Sequence, residues 1–293
     1  MSSMETPIAE WRTFYARYVA AFGRQRDQPA GGAFATRLEG AFEAVPRELF
    51  LPPEPWHIYV LTGCYVETPS RDSRYVYQDV LVAIDKDRGI HNGQPSIHAA
   101  FMSSVEPRPG DTLVHIGAGT GYYTAILSML VAPAGRVEAF EIDETLARAA
   151  QRNLASFDNV AVTAGDGSNL PLPPAQVIYV SAGVRSPLAH WLQALEPGGR
   201  MFIPWRPASD IGIALIITRR ANGFEVRPIM QSWFIPCTGA SEALPGDKAP
   251  DKNAAWATRS LYLSCEREPD ATATAVYRDL WFSSERLKWT RTG

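Results

Sequence analysis

Cysteine is scarce: the chain has three in 293 residues, Cys64, Cys237 and Cys265. An odd number so widely spaced makes no disulfide framework and no zinc-ligand pattern, which fits a reducing compartment. No run of about 18 apolar residues occurs, so no transmembrane helix is expected. Glu5, Glu10, Arg12 and Arg17 interrupt the apolar residues of the N-terminus, leaving no signal-peptide core. Basic clusters are missing as well. A formal charge of −3, with no lysine or arginine run to track phosphates, removes nucleic acid from the expected partners. The five histidines His57, His91, His98, His115 and His190 are scattered, with no carboxylate at a recognisable spacing. No metal site and no histidine general base are therefore expected, and His115, lying in a strand, reads as a satisfied core residue. With 46% hydrophobic and 20% charged residues, the chain reads as a soluble, cytoplasmic globular protein able to bury one large core or two modest ones.

Against these absences stands one dense stretch. Leu113-Val114-His115-Ile116 is an apolar run, Gly117-Ala118-Gly119-Thr120-Gly121 a glycine turn, Tyr122 to Val131 a helix, and Val137 to Asp143 a second strand. Backbone at positive φ, or pressed against a ligand, cannot carry a Cβ, so these glycines mark a tight turn or a close approach. The helix beginning near Tyr122 points its unpaired N–H groups at that turn. Glu141 stands twenty residues past Gly121, at the end of the second strand, where a carboxylate can accept from two ribose hydroxyls. The stretch predicts a nucleoside site. A dinucleotide fold wants Gly-x-Gly-x-x-Gly and small residues beyond it, whereas this chain has Gly-x-Gly-x-Gly followed by Tyr122 and Tyr123. S-adenosyl-L-methionine, which has a ribose and an adenine but no phosphate, is the expected cofactor.

Around this stretch the pattern alternates between helix and strand. Trp11, Phe14, Tyr15, Tyr18 and Phe22 recur at helical spacing, predicting an amphipathic helix whose aromatic stripe packs on the main domain. Gln25 to Ala33 is a polar, glycine-rich loop, and Phe34, Leu38 and Phe42 mark a second helix that stops before Pro46. Val45 to Pro52, bracketed by prolines, reads as extended. Gln94-Pro95 opens a further helix, since proline at the first helical position has its φ preset. Leu146, Ala150 and Leu154 give the stripe of the next one, and Asn159 to Ala164 a third strand ending at Gly165-Asp166-Gly167. Val177 to Ser181 is the fourth strand, followed by a helix through Leu188, Trp191, Leu192 and Leu195, a tight turn at Pro197-Gly198-Gly199, and a fifth strand from Met201 to Pro204. Ile211 to Thr218 and Phe224 to Ile229 form an antiparallel pair around Asn222-Gly223. Ser241 to Asn253 reads as a loop, Ser260 to Cys265 as a strand, and Asp270 as the cap of a helix containing Val276, Leu280 and Trp281.

The fold class predicted is α/β: an open, doubly wound, mostly parallel sheet of Rossmann-like type, with an N-terminal helical and extended segment and a C-terminal extension. Its expected boundaries are residues 1–33 for the N-terminal helix and loop, 34–240 for the main domain and 241–293 for the extension. Within the main domain, 34–105 form the substrate side and 106–240 the cofactor-binding sheet. Ligands of such sheets lie beyond the strands' C-terminal ends, which groups Gly117, Ala118, Gly119, Thr120, Gly121, Glu141, Asp166, Gly167 and Ser181 around the cofactor.

Several short motifs stand in a telling order: Val45 to Pro52, Tyr77-Gln78-Asp79, Gln94-Pro95-Ser96-Ile97-His98-Ala99, the glycine turn, Ala164-Gly165-Asp166-Gly167, Leu195-Glu196-Pro197-Gly198-Gly199-Arg200 with Ile203-Pro204, and Phe234-Ile235-Pro236. In them the chain, from Phe34 to Gly239, resembles the protein-L-isoaspartate O-methyltransferase family of class I S-adenosylmethionine-dependent enzymes. The resemblance implies that Asp166 meets the adenine amino group and that the Gln94-Pro95 junction lies over the cofactor's methyl group. It also implies a serine two residues before that proline, helping to hold the substrate carboxylate. This chain has Gly93 there, and Gln176 where the family usually has aspartate. Asn92 and Ser96 flank the gap, and either can supply a replacement donor, so Asn92, Gly93 and Ser96 form the expected catalytic set. Gly93→Ser is expected to raise activity if the hydroxyl is simply lost, and to do little if a neighbour already serves.

The implied activity is carboxyl O-methylation of isoaspartyl (or aspartyl) residues in proteins or peptides, as in protein repair. A carboxylate with a pKa of about 4 is already nucleophilic at neutral pH, so the lack of a histidine base is no obstacle. The missing serine and the C-terminal extension keep two other readings open: a carboxyl methyltransferase for a dedicated peptide or other acceptor, and a module that binds cofactor or damaged protein without turnover. The expected partner is a protein or peptide with a free carboxylate, with neither nucleic acid nor membrane, and the chain is expected to be a monomer or homodimer.

Overall fold

A computed structural model describes residues 7–23, 32–60 and 63–287. The loop expected from Gln25 lies outside them apart from its last two residues. The chain divides into two compact units.

The first unit comprises Met1–Gly110, Ala118–Val137 and Asp143–Val162. It holds α1 (Ile8–Phe22), α2 (Ala33–Ala44), the hairpins β1 (His57–Val60) with β2 (Cys64–Glu67) and β3 (Ala83–Asp85) with β4 (Ile90–His91), then α3 (Pro95–Val105), α4 (Tyr122–Val131) and α5 (Glu144–Asn153). Tyr15, Ala16, Val19 and Ala20 are the buried face of α1, which packs on α2 and α3. The aromatic stripe expected to pack is split. Tyr15 is buried against Phe42 and Tyr77, while Phe14, Tyr18 and Phe22 lie exposed, Phe14 stacked on Tyr18 and Tyr18 edge-on to Phe22. The alanines decide which face goes in, because they let the backbones approach. Val45 to Pro52 is not extended throughout, since Arg47–Phe50 forms one 3₁₀ turn that carries a fully buried Arg47.

The second unit comprises Asp111–Gly117, Glu138–Ile142 and Thr163–Gly293. It is built on a sheet whose strands are β5 (Thr112–Ile116), β8 (Ala175–Val180), β9 (Leu195–Ala208), β10 (Ile211–Arg220), β11 (Gly223–Gln231), β12 (Ser260–Leu263), β13 (Ala273–Val276) and β14 (Leu280–Ser283), with β6 (Arg136–Glu141) and β7 (Val160–Ala164) shared between the units. Helices α6 (Ala189–Ala194) and α7 (Lys252–Ala257) complete the order. Across the sheet the strands run β13-β14-β12-β11-β10-β9-β8-β5-β6-β7. β8 pairs in parallel with β5 and β9, and every pair from β9 outward to β13 is antiparallel. The fold is α/β, with parallel strands at its centre.

Two expectations are corrected here. Pro197-Gly198-Gly199 does not end an element: Ala175 pairs with Leu195 and Val177 with Arg200, so the three residues form an irregularity inside the continuous strand β9. The expected helix around Val276, Leu280 and Trp281 is instead the strand pair β13 and β14. Leu280 to Ser283 are all buried, and a strand buried on both faces loses the alternation that would distinguish it from a helix. Their neighbours explain the burial. Leu261, Leu263, Leu280 and Phe282 from the extension share one core with Val114, Ile178, Ile203 and Leu215, and Trp205 stacks on Phe282.

Candidate functional site

Backbone hydrogen bonds bring four strand ends together in the second unit. Gly117 N donates to Phe140 O at 2.9 Å, Gly165 N to Glu141 O at 2.9 Å, and Ser181 N to Ile116 O at 2.8 Å. Gly117, Glu141, Asp166 and Ser181 therefore follow directly on adjacent strands, at the edge where such sheets hold ligands. Glu141 is buried. Asp166 is oriented by its own turn, accepting from Ser168 N at 2.8 Å and from Asn169 Nδ2 at 2.7 Å, and each oxygen keeps a lone pair for a further donor. Burial, together with the charges of Asp166 and Glu141, pushes the Cys237 thiol up to about 12, so both acids act on the same locality. Phe234-Ile235-Pro236 runs beside the end of β8, with Gly183 N donating to Ile235 O at 2.7 Å. Ser181 Oγ lies 2.9 Å from Nε2 of His115, whose burial holds its pKa down to about 3 and keeps the ring neutral. Gln176 accepts from Thr112 N at 2.8 Å through its side-chain oxygen, a bond an aspartate could also accept.

The glycine turn is as tight as its composition required, with φ of +80°, +57° and +96° at Gly117, Gly119 and Gly121. At Gly119 a Cβ would meet nothing within 4 Å, so the backbone there borders open space and needs glycine for conformation alone. The turn is anchored by Thr120, whose hydroxyl donates to Phe50 O at 2.5 Å and whose carbonyl accepts from Asn153 at 2.9 Å; Ala118 is buried. These residues fit a nucleoside. In the second unit a buried acid at the end of β6 can accept from ribose hydroxyls, and the oriented Asp166 can accept from an exocyclic amine.

The first unit carries the expected substrate-side residues. Fully buried Arg47 donates to the carbonyls of Val76 (2.8 Å), Gln78 (2.9 Å) and Val80 (2.7 Å), and to Asn92 Oδ1 at 2.9 Å. Because a guanidinium can only donate, the Asn92 oxygen is fixed toward Arg47. Its buried Nδ2 is left without a partner among the described residues. Ser96 differs: its hydroxyl donates to Asp79 Oδ2 at 2.6 Å, and its N–H donates to Asp79 Oδ1 at 2.8 Å. Asp79 also accepts from Gln94 Nε2 at 2.8 Å, so it caps the start of α3 from outside the helix. Gly93 has φ of +77°, and a Cβ there would meet His98 Nε2 at 2.5 Å and Tyr123 at 3.2 Å. A serine does not fit position 93 as the chain stands. Arg47, Asp79 and Tyr123 were not singled out from sequence for these roles, although the first two lie inside the motifs quoted there.

The model of the protein-L-isoaspartate(D-aspartate) O-methyltransferase family matches residues 30–242. A protein-L-isoaspartate O-methyltransferase of Aeropyrum pernix is 32% identical over 216 residues, 72% of this chain and 75% of that protein. One of Ignicoccus hospitalis is 30% identical over 202 residues, covering 67% and 86%. A solved protein-L-isoaspartate O-methyltransferase superposes with a TM-score of 0.62 at 26% identity, over 77% of this chain and 65% of that one. A Plasmodium falciparum structure described as a beta-aspartate methyltransferase in complex with S-adenosyl-L-homocysteine shares the fold, with a TM-score of 0.60 at 16% identity over 78% of this chain and 98% of that one.

Proposed function

Because the chain belongs to the protein-L-isoaspartate(D-aspartate) O-methyltransferase family, we propose that it is an S-adenosylmethionine-dependent enzyme methylating isoaspartyl residues of proteins. The observation that carries this reading is the set of adjacent strand ends that puts Gly117, Glu141, Asp166 and Ser181 on one edge of the sheet. Bound S-adenosylmethionine supplies an electrophilic methyl group on a sulfonium. Glu141 would hold the ribose hydroxyls and Asp166 the adenine amine, beside Gly117, Gly167 and Ser181, while the turn continuing through Ala118, Gly119, Thr120 and Gly121 would allow close backbone approach. The acceptor carboxylate is ionised at neutral pH and needs no base. What the chain must provide for it is a fixed position and the removal of water, which together are worth several kcal/mol of barrier.

Asn92 is the replacement donor in this reading, because its Nδ2 is buried and unspent whereas the Ser96 proton goes to Asp79. Leaving a buried amide unpaired costs about 1–3 kcal/mol, and an acceptor carboxylate would relieve that cost. Three cysteines without a disulfide favour the cytoplasm, and the net charge of −3 argues against nucleic acid. No described helix is long and apolar enough to cross a membrane.

The test is S-adenosylhomocysteine release from an isoaspartyl peptide and its normal aspartyl twin. Methylation of the isoaspartyl form alone supports the reading. Silence on both, with cofactor binding seen by calorimetry, rejects it.

A further inference from the structure

We propose that Arg206 and Trp233 form a specificity site for an acidic residue flanking the isoaspartyl position of the substrate peptide; this rests on the isoaspartyl reading above and names the kind of peptide it prefers. Both residues lie in the second unit, beside the end of β8. On one side of that strand end Val184 N donates to Pro204 O at 2.9 Å and Arg206 N to Val184 O at 2.7 Å. On the other, Gly183 N donates to Ile235 O at 2.7 Å and Cys237 N to Gly183 O at 2.8 Å. Gly183 is two residues past Ser181, which stands on the edge proposed for the cofactor. The Arg206 side chain crosses this glycine. A Cβ on Gly183 would lie 2.6 Å from Arg206 Cδ, so the arginine stem rests on bare backbone and reaches the segment beyond it. There Arg206 Nη1 donates to Phe234 O at 2.6 Å, and the guanidinium carbon sits 5.2 Å from the centre of the Trp233 ring.

That hydrogen bond uses one of the five N–H groups of a guanidinium. Among the described residues Arg206 makes no ion pair, so a half-buried cation fixed by a carbonyl and an indole has no carboxylate of this chain beside it. Arg185, from the same strand end, differs: it is closed by Asp247 at 3.0 Å. The border of the Arg206 cation is apolar and open, with Trp233 53% and Ile235 40% exposed. A glutamate or aspartate side chain suits this pair. Its carboxylate takes the unspent N–H groups of the fork as charge-assisted bonds, and its methylene groups lie on the indole. A lysine in the same place meets like charge and is disfavoured.

The test uses the full chain and isoaspartyl peptides that differ in one residue, which is glutamate, glutamine or lysine at each of the three positions on either side of the isoaspartyl residue. With wild type, glutamate is expected to lower KM about fivefold relative to glutamine at one or more positions, with kcat unchanged, and lysine to raise it. Arg206→Gln keeps an amide for Phe234 O and is expected to lose the preference, while Arg206→Glu reverses it at the same positions. Trp233→Ala should shrink the advantage of glutamate there. S-adenosylhomocysteine affinity, measured by calorimetry, should stay within about twofold in all three variants, which also shows that they fold. Calorimetric binding of the peptides to the S-adenosylhomocysteine complex should follow the same order as KM. Absence of any glutamate preference in wild type overturns the proposal. So does a preference that survives intact in Arg206→Gln or in Trp233→Ala. Failure of the underlying reading looks different: the wild type then binds S-adenosylhomocysteine but methylates none of the peptides, and both proposals fall together.

Discussion

The imidazole of His98 stacks face to face on the ring of Tyr123, 3.6 Å away, at the place where a side chain on Gly93 would have to go. Gly93→Ser therefore does not restore a family feature in this chain. Left-handed backbone costs a residue with a Cβ about 1–2 kcal/mol, and the 2.5 Å approach to His98 adds to that. Gly93→Ser is expected to melt several degrees lower and to lose activity on isoaspartyl peptide. A gain in kcat/KM at unchanged Tm would show that the backbone and His98 yield readily.

Asn92→Asp separates the two ends of one side chain. The carboxylate still accepts from Arg47 and Val82, so stability should hold or rise. The donor disappears, however, and a negative charge takes its place beside the acceptor carboxylate. KM for the peptide is expected to rise by more than about tenfold with cofactor affinity unchanged. Unaltered KM would remove Asn92 from the acceptor site.

The half of the candidate site proposed for the cofactor was readable in the sequence because it is local: a glycine turn, a helix start and an acid at fixed spacing all lie within Gly117 to Glu141. Its fold was legible for the same reason, since each strand and helix carries its own period. The acceptor half was not. Arg47 is 45 residues from Asn92, and Asp79 is 17 from Ser96, so their pairing follows from tertiary packing that no periodicity encodes. That the imidazole of His98 occupies the volume a Cβ on Gly93 would need follows from the same packing. The aromatic stripe of α1 misled in the opposite direction, because aromatic spacing marks a face without saying that the face is buried.

Glu141→Gln tests the ribose acid. Glutamine fills nearly the same volume and needs less desolvation where Glu141 is buried, so folding should be unharmed. Losing a charged acceptor for two hydroxyls is expected to weaken S-adenosylhomocysteine binding by about tenfold or more, measured by calorimetry. Affinity within about twofold of wild type would put the ribose elsewhere.

Arg47 holds the first unit together by donating to three carbonyls and to Asn92. Arg47→Met removes the charge and orphans all four acceptors, at a cost of about 3 kcal/mol or more in urea unfolding. Arg47→Lys keeps the charge but cannot reproduce the planar fork, and should fall between the two. A methionine variant as stable as wild type would mean that water satisfies those oxygens.

His115 makes stability depend on pH. Its folded pKa of about 3 lies below the usual value of about 6.5, so between the two the unfolded chain binds the extra proton. Unfolding therefore becomes easier as the pH falls. The loss from this one residue is about 1 kcal/mol at pH 5.5 and about 3 kcal/mol at pH 4.5, and it levels off near the folded pKa. His115→Gln keeps a polar atom for Ser181 and has no proton to gain. The difference in unfolding free energy between wild type and His115→Gln should thus shift in the variant's favour by those amounts on acidification, read from urea titrations at each pH. A difference that stays constant from pH 7 to 4.5 would mean that the imidazole becomes charged inside the folded protein.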